Sequence, residues 1–146
     1  MKKVAVVIGV GEGLGKSLAK QFGNNDYRVF MMARNLEKLN SIAEELKVSN
    51  IEAIPVQTDI TDQAIFTNSL NKIKESTTGI DTLIYNAGIT APDGDSLTVD
   101  QLKDHLNLDV IGAFQAVVEL QDKISESMEQ SYLQVVWPPC SHSLVS

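Results

Sequence analysis

The chain has 146 residues, 43% of them hydrophobic and 21% charged, a composition that fits one globular domain able to bury roughly 70% of the surface its unfolded form exposes. Its 19 acidic residues outnumber 12 basic ones, giving a net charge of −7, and a surface of that sign repels phosphate backbones, which excludes nucleic acid and anionic membranes as expected partners. No apolar run approaches the roughly 18 residues of a membrane span, and a single cysteine, Cys140, excludes an intramolecular disulfide and fits a cytoplasmic location.

Lys2 and Lys3 precede a short apolar run, as in a signal peptide, but the run passes into glycines without a cleavage-like site, so Val4 to Ile8 reads as a buried strand. Glycines follow at 9, 11, 13 and 15, and a helical pattern of Leu14, Leu18, Ala19 and Phe22 begins at once. Strand, tight turn and helix in that order are half of a nucleotide-binding βαβ unit. The glycines let the chain leave the strand sharply, let a pyrophosphate approach the backbone, and pack the first helical turn against the sheet. The amides at the helix start then face the phosphates, where the helix dipole favours negative charge. Taken alone, the stretch also fits a glycine-rich turn of another α/β protein or the cofactor turn of a methyltransferase. The spacing of Gly9, Gly13 and Gly15 resembles the cofactor turn of the short-chain dehydrogenase/reductase family. The resemblance implies that Gly9, Gly11, Glu12, Gly13, Leu14 and Gly15 hold a dinucleotide.

Asn24, Asn25 and Asp26 stop the first helix, and Tyr27 to Ala33 makes a second strand that ends on Arg34, 19 residues beyond Gly15. At that place dinucleotide-binding folds meet the adenosine ribose. An acid there accepts from the 2′-hydroxyl, whereas an arginine accommodates a 2′-phosphate. Arg34 therefore points to NADP(H), with NAD possible, by about one to two decades in affinity. A solvated arginine at a strand end is the alternative, and Glu12 pulls the other way because an acid in the turn repels the same phosphate. Asn35 is positioned to cap a helix whose stripe is Leu36, Leu39, Ile42, Ala43 and Leu46. Ile51 to Gln57 reads as a third strand, placed at a sheet edge by Pro55, which cannot donate to a ladder. Asp59 and Ile60 resemble the family's adenine-holding segment, although a carboxylate there also serves a local turn. Thr61 or Asp62 caps the next helix, which carries Phe66, Leu70 and Ile73.

Ile80 to Ile89 gives a fourth strand running into Asn86, Ala87 and Gly88. This tripeptide is the second resemblance to the same family, in which it closes the strand beside the cofactor. Small residues there let ribose and nicotinamide lie against backbone, and Asn86 can bond across to a neighbouring strand end; a plain turn uses the same residues. Ala91 to Ser96 reads as a loop near the cofactor cleft. Thr98 and Gln101 have capping-box form and open a long helix. Its stripe of Leu102, Leu106, Val110, Ala113 and Val117 is broadened by Leu108, Ile111, Phe114 and Val118. The excess apolar surface either packs against a second copy, as in homodimers of the family, or is buried within the chain. Asp109 stands three residues before Gly112, where the family carries Asn, while Asn107 faces elsewhere. Tyr132 to Trp137 offers a fifth strand.

The family places a catalytic Ser just past that strand and a Tyr-xxx-Lys about a dozen residues later. Here Ser141 is displaced beyond Trp137-Pro138-Pro139-Cys140, and no Tyr-xxx-Lys occurs, the last lysine being Lys123. Cys140, Ser141 and His142 read as a tail, His105 as a helix-surface residue, and two histidines with one cysteine make no metal site.

The expected fold is α/β: a Rossmann-like doubly wound parallel sheet of about five strands in order 3-2-1-4-5, with helices on both faces. Residues 1–136 form the dinucleotide-binding domain and residues 137–146 an irregular tail, with the chain cut short before the catalytic pair. The resemblance implies an oxidoreductase passing hydride between NADP(H) and a small carbonyl or alcohol, crippled as it stands. A non-catalytic dinucleotide-binding or subunit-interaction module is the alternative, and an S-adenosylmethionine-dependent methyltransferase the more remote one.

Overall fold

A computed structural model describes residues 2–88, 97–126 and 132–135. Apolar β-branched runs become strands, and patterns of period 3.6 become the helices between them. In chain order these are β1 (Lys3–Ile8), α1 (Leu14–Asn24), β2 (Tyr27–Ala33), α2 (Leu36–Lys47), β3 (Ala53–Gln57), α3 (Gln63–Ser76) and β4 (Thr82–Tyr85). There follow α4 (Val99–His105), a π-helical segment (Leu106–Ile111), α5 (Gly112–Glu126) and β5 (Tyr132–Val135). The strands pair in parallel in the order β3-β2-β1-β4-β5. The chain winds outward from β1 to β3, then returns to the other side of β1, which makes the β1/β4 boundary the switch point of the sheet.

Central strands of such a sheet are covered on both faces, and β1 shows the consequence. Val4, Val6 and Ile8 pack with Phe66, Leu70 and Ile73 of α3 and with Ala116 and Leu120 of α5. Ala5 and Val7, on the opposite face, pack with Ala19 of α1 and Leu39, Ile42 and Leu46 of α2. The helix ends follow local chemistry. Asn35 accepts from the Lys38 amide at 3.0 Å and Asp62 from the Ile65 amide at 3.1 Å. Thr98 and Gln101 form a complete capping box. Asp26 and Asn50 take left-handed backbone after α1 and α2, a conformation their short polar side chains tolerate.

β3 lies at the sheet edge. The Thr58 amide donates inward to the Ala33 carbonyl at 2.9 Å, and alternate residues of a strand share that direction. Pro55 therefore falls in the outward-facing row.

The long helix departs from the sequence pattern. Between α4 and α5 the backbone widens into the π-helical segment, and the added residue rotates the downstream face relative to the upstream one. Leu102, Leu106 and Val110 consequently do not share a buried stripe with Ala113 and Val117. Ala116 and Leu120 are buried in the core and Ala113 and Val117 pack partly buried against it, whereas Leu102, Leu106, Val110, Ile111, Phe114 and Val118 are 42% to 70% exposed.

Candidate functional site

The glycine turn leaves β1 with three separate tasks divided among its glycines. Gly9 has φ +93°, and a Cβ there would lie 2.5 Å from the Ala87 amide nitrogen, so both the turn and the close approach of β4 require glycine. Gly15 packs the start of α1 on the turn: a Cβ would lie 2.6 Å from the Gly9 carbonyl oxygen and 2.7 Å from Val10 Cα. Gly11 and Gly13 differ from both, because a Cβ at either would meet nothing within 4 Å. They line an open floor before α1. No side chain caps that helix, whose first residue, Leu14, is 46% exposed, so no capping side chain occupies the amides at its start. The floor, the uncapped helix start and the absence of Cβ atoms fit a pyrophosphate, which needs amide donors and close backbone approach.

The neighbouring strand ends converge on this turn. The Gly9 and Val10 amides both donate to the Met32 carbonyl, at 2.9 and 3.0 Å, and the Asn86 amide donates to Ile8 at 2.7 Å. Asn86 Nδ2 also donates to the Gly9 carbonyl at 3.0 Å, tying the end of β4 to the turn. Ala87 and Gly88 follow directly. Arg34 is exposed at the end of β2, where its carbonyl accepts from Gln57 Nε2 at 3.0 Å. Asp59 is engaged locally, its Oδ1 accepting from the amide of Thr61 at 3.0 Å and from its hydroxyl at 2.6 Å. Glu12 pairs with Lys16 at 3.2 Å.

A second corner forms on the other side of β4. The Tyr85 hydroxyl donates to the Leu108 carbonyl in the π-helical segment. Burial, and then the Asp109 charge, push this phenol well above its ordinary range. Gly112 leaves space for it, since a Cβ there would collide with the Tyr85 hydroxyl and with Ile60 Cγ2. Asp109 is partly buried, with Oδ1 lacking a hydrogen-bond partner among the described residues and Oδ2 3.7 Å from His105 Nδ1. His105 is thus half-buried beside a carboxylate rather than a plain surface residue, and Asn107 is exposed. Sequence reasoning missed Tyr85, which reads there as one more strand residue; the glycine three positions after Asp109 was the sole hint of a close approach.

The candidate residues Gly9, Gly11, Glu12, Gly13, Leu14 and Gly15 are contiguous, and Asn86, Ala87 and Gly88 are brought beside them. Arg34, Asp59 and Ile60 stand at the same carboxyl ends of β2 and β3. Ser141, Cys140 and His142 lie outside the described residues, as do the 91–96 loop and the 137–146 tail. No cluster of three or more His, Cys, Asp or Glu able to hold a metal occurs among the described residues. Open hollows of ≈ 550 Å³ beside α2 and β3 and of ≈ 940 Å³ at the amino ends of the strands do not touch the glycine turn, so concavity by itself would misplace the site.

A family model described as short chain dehydrogenase matches residues 3–133. The chain is 28% identical over 145 residues to the short-chain dehydrogenase/reductase sthC of Phaeosphaeria nodorum, a match covering 92% of this chain and 46% of that protein. Among solved structures it resembles a 7α-hydroxysteroid dehydrogenase complexed with NADH and 7-oxo glycochenodeoxycholic acid, with TM-score 0.83, 19% identity, and coverage of 92% and 52%. It also resembles a variant of actinorhodin polyketide ketoreductase with NADPH, with TM-score 0.76, 24% identity, and coverage of 84% and 47%. The chain thus spans about half the length of these relatives.

Proposed function

Because the chain belongs to the short-chain dehydrogenase/reductase family, we propose that it binds a nicotinamide dinucleotide along the carboxyl ends of its strands, NADP(H) in preference to NAD(H). The observation that carries this reading is the division of labour in the glycine turn: Gly9 and Gly15 are packed against backbone, while Gly11 and Gly13 leave a floor open at the start of α1. In this reading the amides from Gly11 to Gly15 hold the pyrophosphate and the Arg34 fork grips the 2′-phosphate. Asp59 and Ile60 border the adenine, and Asn86, Ala87 and Gly88 border the ribose and nicotinamide. When bound, the cofactor supplies or accepts the hydride exchanged with a small carbonyl or alcohol.

Two residues bear on proton transfer. Asp109 puts a charge where the family has a neutral amide, and the Tyr85 hydroxyl is occupied by the Leu108 carbonyl. These same features favour a second reading, a non-catalytic dinucleotide-binding or subunit-interaction module. The methyltransferase alternative loses its support with the family match. The exposed row on α4, the π-helical segment and α5 is the proposed seat of a second copy in a homodimer, and the cytoplasm remains the proposed location. No helix among the described residues is long and apolar enough to cross a membrane.

Titration with NADPH and NADH, followed by reduced-nicotinamide fluorescence, tests the reading. Tight NADPH binding with weaker NADH binding supports it, and failure of both to bind overturns it. Turnover on a panel of carbonyls and alcohols then separates enzyme from module. Light scattering on Phe114→Glu tests the homodimer, with dissociation to a monomer as the expected result.

A further inference from the structure

This inference rests on the NADP(H) reading and concerns the residue that opposes it. Glu12 lies in the glycine turn, which the Gly9 and Val10 amides fix to the Met32 carbonyl, two residues short of Arg34. A bare carboxylate at that rim would repel a 2′-phosphate. Glu12 is not bare, however. Lys16 Nζ lies 3.2 Å from Glu12 Oε2 and 2.6 Å from Glu45 Oε2. The first contact joins the glycine turn to the first turn of α1, and the second crosses from α1 to α2.

The exposures give the arrangement a direction. The Lys16 side chain is 22% exposed, while those of Glu12 and Glu45 are 58% and 61% exposed. The ammonium sits inside the pair and the carboxylates face solvent. Glu45 first, and Glu12 next, hold this ammonium above the ordinary lysine range, so it carries its charge at neutral pH.

We infer that Lys16 is a specificity-determining residue that protects the preference for a 2′-phosphate by neutralising Glu12, and that Glu45 on α2 limits the effect by competing for the same ammonium. Lys16 acts through Glu12 and needs no contact with the cofactor. The glycine turn thereby tolerates an acid beside the site at which Arg34 receives an anion. As all three groups are solvent-accessible, the effect shrinks as salt rises.

The test is the ratio of NADH to NADPH dissociation constants, read at low salt from nicotinamide fluorescence, in the wild-type chain and in Lys16→Met, Glu12→Gln, Glu45→Gln, Lys16→Arg and the Lys16→Met/Glu12→Gln double variant. Lys16→Met is expected to lower the ratio about two- to fivefold, the scale of an exposed ion pair, and Lys16→Arg to preserve it. The double variant should equal Glu12→Gln alone, and Glu45→Gln should raise the ratio. An unchanged ratio in Lys16→Met overturns the inference. So does a loss of equal size in the Glu12→Gln background, because Lys16 would then be touching the phosphate itself. A wild-type chain with no NADPH preference overturns the Arg34 reading and this inference with it, and that outcome is visible before any variant is made.

Discussion

Gly9 and Gly112 approach the same short stretch, the end of β4, from two directions, and what each meets there differs in kind. Gly9 faces the Ala87 amide and Cα and the Asn86 carbonyl carbon, all backbone, and it also holds φ +93°. Gly112 faces the Tyr85 hydroxyl and an Ile60 methyl, both side chains. Backbone cannot be exchanged for something smaller, whereas a side chain can. The first contact is fixed by the course of the chain, and the second is a negotiated fit between residues far apart in sequence.

Substitution should expose that difference. Gly9→Ala is expected to have the largest effect, about 3 kcal/mol or more of stability, since strain at positive φ adds to a collision with backbone. No change at Ala87 should relieve it, as judged by urea denaturation of the double variants. Gly112→Ala should cost about 1–3 kcal/mol through overpacking. Here relief is available: Tyr85→Phe removes the colliding oxygen, so the double variant should be more stable than the sum of the singles by at least about 0.5 kcal/mol. A strictly additive pair would show that the corner is not the negotiated fit described.

Gly11→Ala sharpens the contrast from the other side. Its Cβ would enter open space, so stability should change by about 0.5 kcal/mol or less, while NADPH binding in the fluorescence titration falls about tenfold because the floor is filled. The smallest expected effect concerns pH. Unfolded Tyr85 ionises around its ordinary value of 10.0, but the native phenol, buried and beside Asp109, keeps its proton to higher pH. Its contribution to stability is whole below pH 10 and is lost as pH climbs toward the native value. Urea midpoints between pH 9.5 and 11 should therefore fall less steeply in Tyr85→Phe than in the wild-type chain.

The same contrast explains how much could be read in advance. Signals confined to a few neighbouring residues were legible: the glycines between β1 and α1, the Asn35 cap, the Thr98–Gln101 box and a cap at Thr61 or Asp62, which falls to Asp62. The strand order was legible as well, because apolar runs, Pro55 and the position of the glycine turn all constrain the same winding. The corner at Tyr85 was not, since its partners are Leu108, Asp109, Gly112 and Ile60, which no local period connects. The π-helical segment was hidden for a related reason. A heptad-like pattern assumes constant winding, and one widened turn is enough to send Leu102, Leu106 and Val110 outward while Ala116 and Leu120 face the core. Lys16 went unnoticed because its shorter contact is with Glu45, 29 residues away on another helix.

Pro55 bears on how this chain behaves in crowded solution. An open sheet ends in a row of amides and carbonyls that another molecule can continue, and repeated addition of that kind builds fibrils. At the middle of β3, in the row turned away from β2, the proline ring stands where a donor would be. A newcomer aligning along that side finds the ladder interrupted halfway, and the bulk of the ring holds it off. The flank of the molecule beside β3 is thus interrupted for growth by a single residue.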